Sequence, residues 1–202
     1  MKRNLVLVLS AVALMAVAST AGAATRPHHE SGSNPGTMEV NLGFAKSSDD
    51  AIGNGDTMGG GIAFGAAYWM HPSPKLSWGP ELSFDNMGSV EYDNGFTANN
   101  TGSMHLIRVH PTLRYNFTQG IGTQFFGQAG AGLYSVTAKI DDSVLGTASA
   151  SDSKFGFNLG AGVDFPVSPK SRMNVTALYH NVAMDGASLN YVQVRAGFGF
   201  TL

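Results

Sequence analysis

His180 is the residue of this 202-residue chain whose type and setting most suggest chemistry. It stands in the run Leu178-Tyr179-His180-Asn181-Val182-Ala183. A histidine base needs a nucleophile within hydrogen-bond reach and a carboxylate to orient it. Asn181 and Val182 offer no attacking hydroxyl, Ser188 lies across a loop, and the chain has no cysteine. Metal-ligating types fare no better. His28, His29 and Glu30 adjoin one another in a polar segment without fixed geometry, and His71 and His105 are isolated. Asp49, Asp50 and Asp56, then Glu91 and Asp93, then Asp141 and Asp142 lack the alternating spacing of a calcium loop. The glycine-rich run Gly53 to Gly61 has no lysine or following helix to complete a phosphate cradle. No residue is therefore assigned a catalytic, cofactor-binding or metal role, and no enzyme activity or cofactor is expected.

A larger set of charges shares faces with glycines and small polar residues: Glu81, Arg108, His110, Arg114, Lys154, Asp164, His180 and Arg195. If those faces enclose a narrow interior, the charges must pair, because an unpaired buried charge is costly. Such an interior is either a narrow polar pore or a packed, plugged network. Eight strands leave room for side chains and little else, which favours the network. Asp164, beside a turn, is expected close to the rim.

The elements that would position these residues are strands. In Phe155 to Phe165 every second residue is apolar, and Gly156, Asn158, Gly160, Gly162 and Asp164 occupy the opposite face. Similar alternation runs over Thr37 to Ala45, Met58 to Met70, Leu76 to about Tyr92, Ser103 to Tyr115, Thr123 to about Ala138, Arg172 to His180 and Leu189 to Leu202. Eight strands result. Longer polar connections fall at residues 46–57, 93–102, 139–152 and 181–188, and shorter ones at 71–75, 116–122 and 166–171. Alternation leaves open whether the apolar faces meet a second sheet or lipid. Alternating long and short connections favour lipid, and an even strand count returns both ends to one side. Tyr68, Trp69, Trp78, Tyr92, Tyr115, Phe117, Tyr134 and Tyr179, near strand ends, fit an interfacial aromatic belt.

Composition agrees. Met1 to Asn4 is basic, Leu5 to Ala18 is almost wholly apolar, and Ala21-Gly22-Ala23 suits cleavage, so residues 1–24 read as a signal peptide. Residues 25–36 read as a flexible linker and 37–202 as one barrel domain. The mature part would carry 10 Lys and Arg against 14 Asp and Glu, with no basic block to follow a phosphate backbone. Nucleic acid is not an expected partner. An exported domain without cysteine cannot be a disulfide-stapled scaffold. Glycine, at 26 residues, is abundant, and no mature segment keeps a helical apolar stripe.

On the runs Gly130-Ala-Gly-Leu-Tyr-Ser-Val136, Phe155 to His180 and Tyr191 to Leu202, the chain resembles the small eight-stranded outer membrane β-barrel family that includes OmpX-like proteins and the OmpA transmembrane domain. The resemblance spans about 37 to 202. It implies an all-β, eight-stranded antiparallel up-and-down transmembrane barrel in the outer membrane of a Gram-negative cell, with periplasmic termini. It also implies contact with outer membrane lipids and lipopolysaccharide, delivery through the barrel assembly machinery by the last strand, and a monomer. The usual terminal aromatic is replaced, since Phe200 is followed by Thr201 and Leu202. The His180 run is similar to the histidine region of lipid A deacylases, but their serine two positions on is Val182 here. The expected role is non-enzymatic, structural or surface-interacting. A deacylase-like lipid A-modifying enzyme and a narrow solute pore are the alternatives.

Overall fold

The computed structural model describes residues 36–48, 58–92, 100–118, 120, 122–142 and 146–202. The expected signal peptide, nearly all of the linker, and His28, His29, Glu30, Asp49, Asp50, Asp56 and Asp93 lie outside the described residues. The strands are β1 (Thr37–Ser47), β2 (Gly61–Trp69), β3 (Leu76–Tyr92), β4 (Asn100–Asn116), β5 (Gln124–Asp142), β6 (Gly146–Ser168), β7 (Ser171–Met184) and β8 (Ala187–Thr201). Each pairs antiparallel with the next, and β1 pairs with β8 from Thr37↔Thr201 to Ser47↔Tyr191, so the ring is closed. Closure satisfies the backbone polar groups that hydrocarbon cannot.

The two faces are inverted relative to a water-soluble sheet. Leu42, Ile62, Leu82, Val109, Leu133, Phe155, Leu159 and Phe198 point outward and are exposed. Glu39, Glu81, Arg108, Thr112, Gln128, Asn158, His180 and Arg195 point inward and are buried. The apolar face of β6 is thus the outer one. Above Phe84, Ile107, Leu133 and Phe155, the next outward residues are Asn86, His105, Ser135 and Ser153. That change marks the outer edge of the lipid belt. On β5 the belt runs from Phe125 to Leu133, about 20 Å along the membrane normal at the usual strand tilt.

Pro80 faces Pro111 across β3 and β4. Proline has no N–H to donate, so this pair suits a position whose donors would point away, toward β2 and β5. The ladders are interrupted there as well: β2–β3 pairing stops at Ala67↔Glu81, and β4–β5 pairing skips His110 and Pro111. Inside the wall, glycines make room for rings. A Cβ on Gly156 would lie 2.8 Å from the Tyr134 ring, and one on Gly162 would collide with Phe126 Cζ.

Two of the four expected long loops are hairpins instead. β5 and β6 stay paired out to Asp142↔Gly146, and β7 and β8 out to Met184↔Ala187. Asp185-Gly186 makes the latter turn, with Gly186 at φ +79°, where a side chain would be strained. Beyond the belt neither face of a strand meets lipid. Apolar alternation is no longer required, and small polar residues pair through the backbone ladder, with side-chain bonds such as Thr137 Oγ1 to Ser151 Oγ at 3.0 Å added.

Candidate functional site

Alternation places one residue in two from each strand inside a ring too narrow to hold bulk water as well. The innermost charges are Glu39, Glu81 and Asp85 against Arg108, Arg114 and Arg195, all buried. Three carboxylates therefore meet three guanidiniums. Arg195 clasps Glu81 with both terminal nitrogens, Nη2 to Oε2 at 2.9 Å, while Arg108 Nη2 donates to Glu81 Oε1 at 3.2 Å. Asp85 accepts from the Tyr191 hydroxyl and from Gln193 Nε2, both at 2.8 Å, and lies 3.3 Å from Arg108 Nε. Lower in the lumen, Arg114 grips Glu39 at 3.0 and 3.2 Å, and Trp69 Nε1 donates to the same carboxylate at 3.1 Å. The Arg114 guanidinium lies 4.1 Å over the Trp69 ring and 4.3 Å over Phe126. Gln128 joins the two groups, accepting from Arg114 and donating to Glu81.

His180 is wholly buried in this network. Arg108 Nη1 lies 2.9 Å from each of its ring nitrogens, and its ring stacks on Tyr191 at 4.2 Å. Its neighbour two positions on, Val182, faces the lumen too. His180 therefore points away from the lipid that a deacylase would attack. His110 contacts Thr112 and Asn158. Above this layer the lumen becomes apolar: Met58, Met87, Leu106, Val136, Val182 and Leu189 pack together with Tyr134 and Tyr191. Among the described residues, the lumen is thus a packed network, a charged middle under an apolar cap.

Of the eight inward residues expected from the sequence, Glu81, Arg108, His110, Arg114, His180 and Arg195 come together in the lumen. Asp164 sits at the rim, 2.9 Å from Arg172. Lys154 does not join the network; it bridges Asp152 and Asp185 at 2.7 Å each, outside the belt. Glu39 and Asp85, the other two lumen carboxylates, escaped that set, although each lies on an inward face by simple alternation. The aromatic belt also needs correction. Trp69 and Tyr134 are buried in the lumen, whereas Trp78, Tyr115, Phe117 and Tyr179 are exposed on the outer wall.

The outer end carries a second feature. β3, β4, β5 and β6 continue past the belt as a raised sheet, paired to Tyr92↔Asn100, Thr101↔Asp141 and Asp142↔Gly146. β7 stops pairing with β6 at Gly156↔Val182. Among the described residues, Gly146 to Lys154 thus pair on the β5 side alone, leaving an open edge of small polar residues. At the tip the Thr147 hydroxyl, then Lys139, hydrogen-bonds Asp141 and holds its carboxyl below the usual range.

A family profile described as outer membrane protein beta-barrel domain matches residues 6–201. Comparison with curated protein sequences gives no match. Among solved structures, Neisserial surface protein A (NspA) superposes with a TM-score of 0.61 at 13% identity, over 85% of this chain and 99% of that one. Ail, the attachment invasion locus protein of Yersinia pestis, solved with the heparin analogue sucrose octasulfate, gives 0.51 at 22% identity, over 83% and 100%. A major outer membrane protein of Thermus thermophilus gives 0.51 at 12%, over 84% and 100%. At these identities the likeness is one of fold.

Proposed function

This chain belongs to the outer membrane protein beta-barrel domain family, and we propose from that premise that the barrel is a non-enzymatic anchor that holds the raised β3–β6 sheet above the membrane. It resides in the outer membrane, with the ends of β1 and β8 on the periplasmic side. The observation that carries the proposal is the open edge Gly146 to Lys154. An unpaired edge offers a row of N–H and C=O groups to an extended partner segment, with main-chain hydrogen bonds giving affinity. Natural proteins usually blunt such edges with charge, proline or a covering element. Here Thr147 to Ser151 carries no charge and no proline, the charges Asp152 and Lys154 lying only at the foot of the edge.

The remaining assignments fit the same reading. Residues 1–24 direct export and are removed, residues 25–36 link to the barrel, and the assembly machinery engages β8, whose outward Val192, Val194, Phe198 and Phe200 form a continuous apolar face. The barrel is a monomer in the membrane, its apolar wall contacting lipid, and lipopolysaccharide at the outer rim. Panning a library of ten-residue β-prone peptides on cells displaying the intact barrel tests the surface role. Peptides enriched on the intact protein should be lost when Ser149 and Ser151 are both replaced by Pro, with the outer membrane fraction and heat-shifted gel mobility unchanged. Enrichment equal to that on cells lacking the barrel would contradict it.

A further inference from the structure

The lipid-facing wall is not uniform. On β5 the outward residues between Phe125 and Leu133 are Gly127, Ala129 and Ala131, all small. Bulky side chains stand on both sides, Trp78 and Leu113 from β3 and β4, Phe157 and Leu159 from β6. Small residues between large ones leave two adjoining hollows of about 550 and 540 Å³, which share Leu113, Ala129 and Leu159. The lower hollow reaches Tyr115 and Phe117, at the periplasmic edge of the belt. The concavity is therefore a groove running from the periplasmic edge of the belt to just past its middle.

The charges at the foot of that groove are mostly positive. Lys75 adjoins it, its carbonyl accepting from the Asn116 backbone N–H at 2.8 Å. Lys170 lies on the far side, in the turn after β6, and Arg172 Nη2 donates to the Gly122 carbonyl between them at 3.2 Å. Among the described residues the acidic side chains at this end are Asp164, which Arg172 neutralises, and Glu39, which Arg114 holds inside the lumen. The outer end leans the other way among the described residues, exposing Asp141, Asp152 and Asp185 against Lys139 and Lys154. Apolar shape and net positive charge thus coincide at one place, where the inner leaflet presents its headgroups.

We propose, on the premise that the barrel spans the outer membrane, that this groove holds one anionic phospholipid of the inner leaflet. An acyl chain lies along Gly127, Ala129 and Ala131, and the phosphate-bearing headgroup sits beside Lys75 with Lys170 adding to the local potential. A lysine near an anionic surface strengthens binding by roughly fivefold. A zwitterionic lipid gains the apolar contact but little of the charge attraction.

The two tryptophans make the test direct. Trp78 lines the groove, whereas Trp69 is in the lumen, 1% exposed. Bromine on a lipid chain quenches tryptophan on contact, so the readout is Trp78. The full chain is refolded into phosphatidylcholine vesicles in which a minor fraction of either phosphatidylglycerol or phosphatidylcholine is brominated. Brominated phosphatidylglycerol should quench as though enriched at Trp78 by roughly fivefold over brominated phosphatidylcholine at equal mole fraction. Lys75→Gln should remove most of that preference, and Ala129→Leu, which fills the groove, should weaken it with the lysines intact. Equal quenching by the two lipids overturns the proposal while leaving the membrane barrel standing. An absence of quenching even in wholly brominated phosphatidylcholine overturns the barrel reading as well, because Trp78 then never meets lipid.

Discussion

Glu81→Ala should destabilise the barrel by about 3–5 kcal/mol, the largest effect expected of any single lumen substitution. The Glu81 carboxylate is 1% exposed and receives hydrogen bonds from both Arg108 and Arg195, as well as Gln128. Its removal leaves Arg195 with no carboxylate in contact, because the other lumen acids are held elsewhere: Glu39 by Arg114, and Asp85 by Tyr191, Gln193 and Arg108. The loss comes from stranding a charge rather than from forfeiting a bond. Hence Glu81→Leu combined with Arg195→Met should recover most of it, since Arg108 keeps Asp85. Urea unfolding in lipid vesicles, followed by tryptophan emission, measures both variants. A single-variant cost below about 1 kcal/mol would mean that water reaches the network and screens it.

Leu42→Arg should cost about 2–4 kcal/mol, although Leu42 is 62% exposed on the folded surface. In a water-soluble protein such a change on an exposed wall usually falls within about 0.5 kcal/mol of zero. The difference arises from the solvent, since lipid tails cannot hydrate a guanidinium. Leu42 lies well inside the belt, opposite Phe64 on β2 and Ala196 on β8, away from the interfaces to which an arginine could extend. The same unfolding assay decides it. A near-zero cost would place that wall in water.

Strand number, face and topology were all legible in the sequence, because each depends on a period of two, although the expected length contrast between connections failed at β5–β6 and β7–β8. Six lumen residues could be read the same way. Their pairing could not, since alternation assigns a face but no height, and partners such as Arg195 and Glu81 lie 114 positions apart. Lys154 shows the limit: its parity is that of Asn158, yet it stands above the belt and meets Asp152 and Asp185. Trp69 shows the converse error, an aromatic near a strand end whose parity is inward and whose ring covers Arg114. The hairpin of β7 and β8 did carry a local signal, Asp185-Gly186. The β5–β6 extension carried almost none. Its small polar residues are paired by backbone hydrogen bonds that composition does not reveal, and the open edge they leave depends on where β7 stops.

The central claim is that the apolar faces meet lipid and the polar faces close around a packed network. Nuclear Overhauser contacts between lipid acyl protons and side chains, recorded with the intact protein in nanodiscs, test this without any substitution. The account predicts acyl contacts to Phe155, Phe157, Leu159, Phe198 and Phe200, and none to Asn158, Gln193 or Arg195. Acyl contacts absent from the first set, with those residues instead touching one another across a dry core, would contradict it and turn every strand to face the other way.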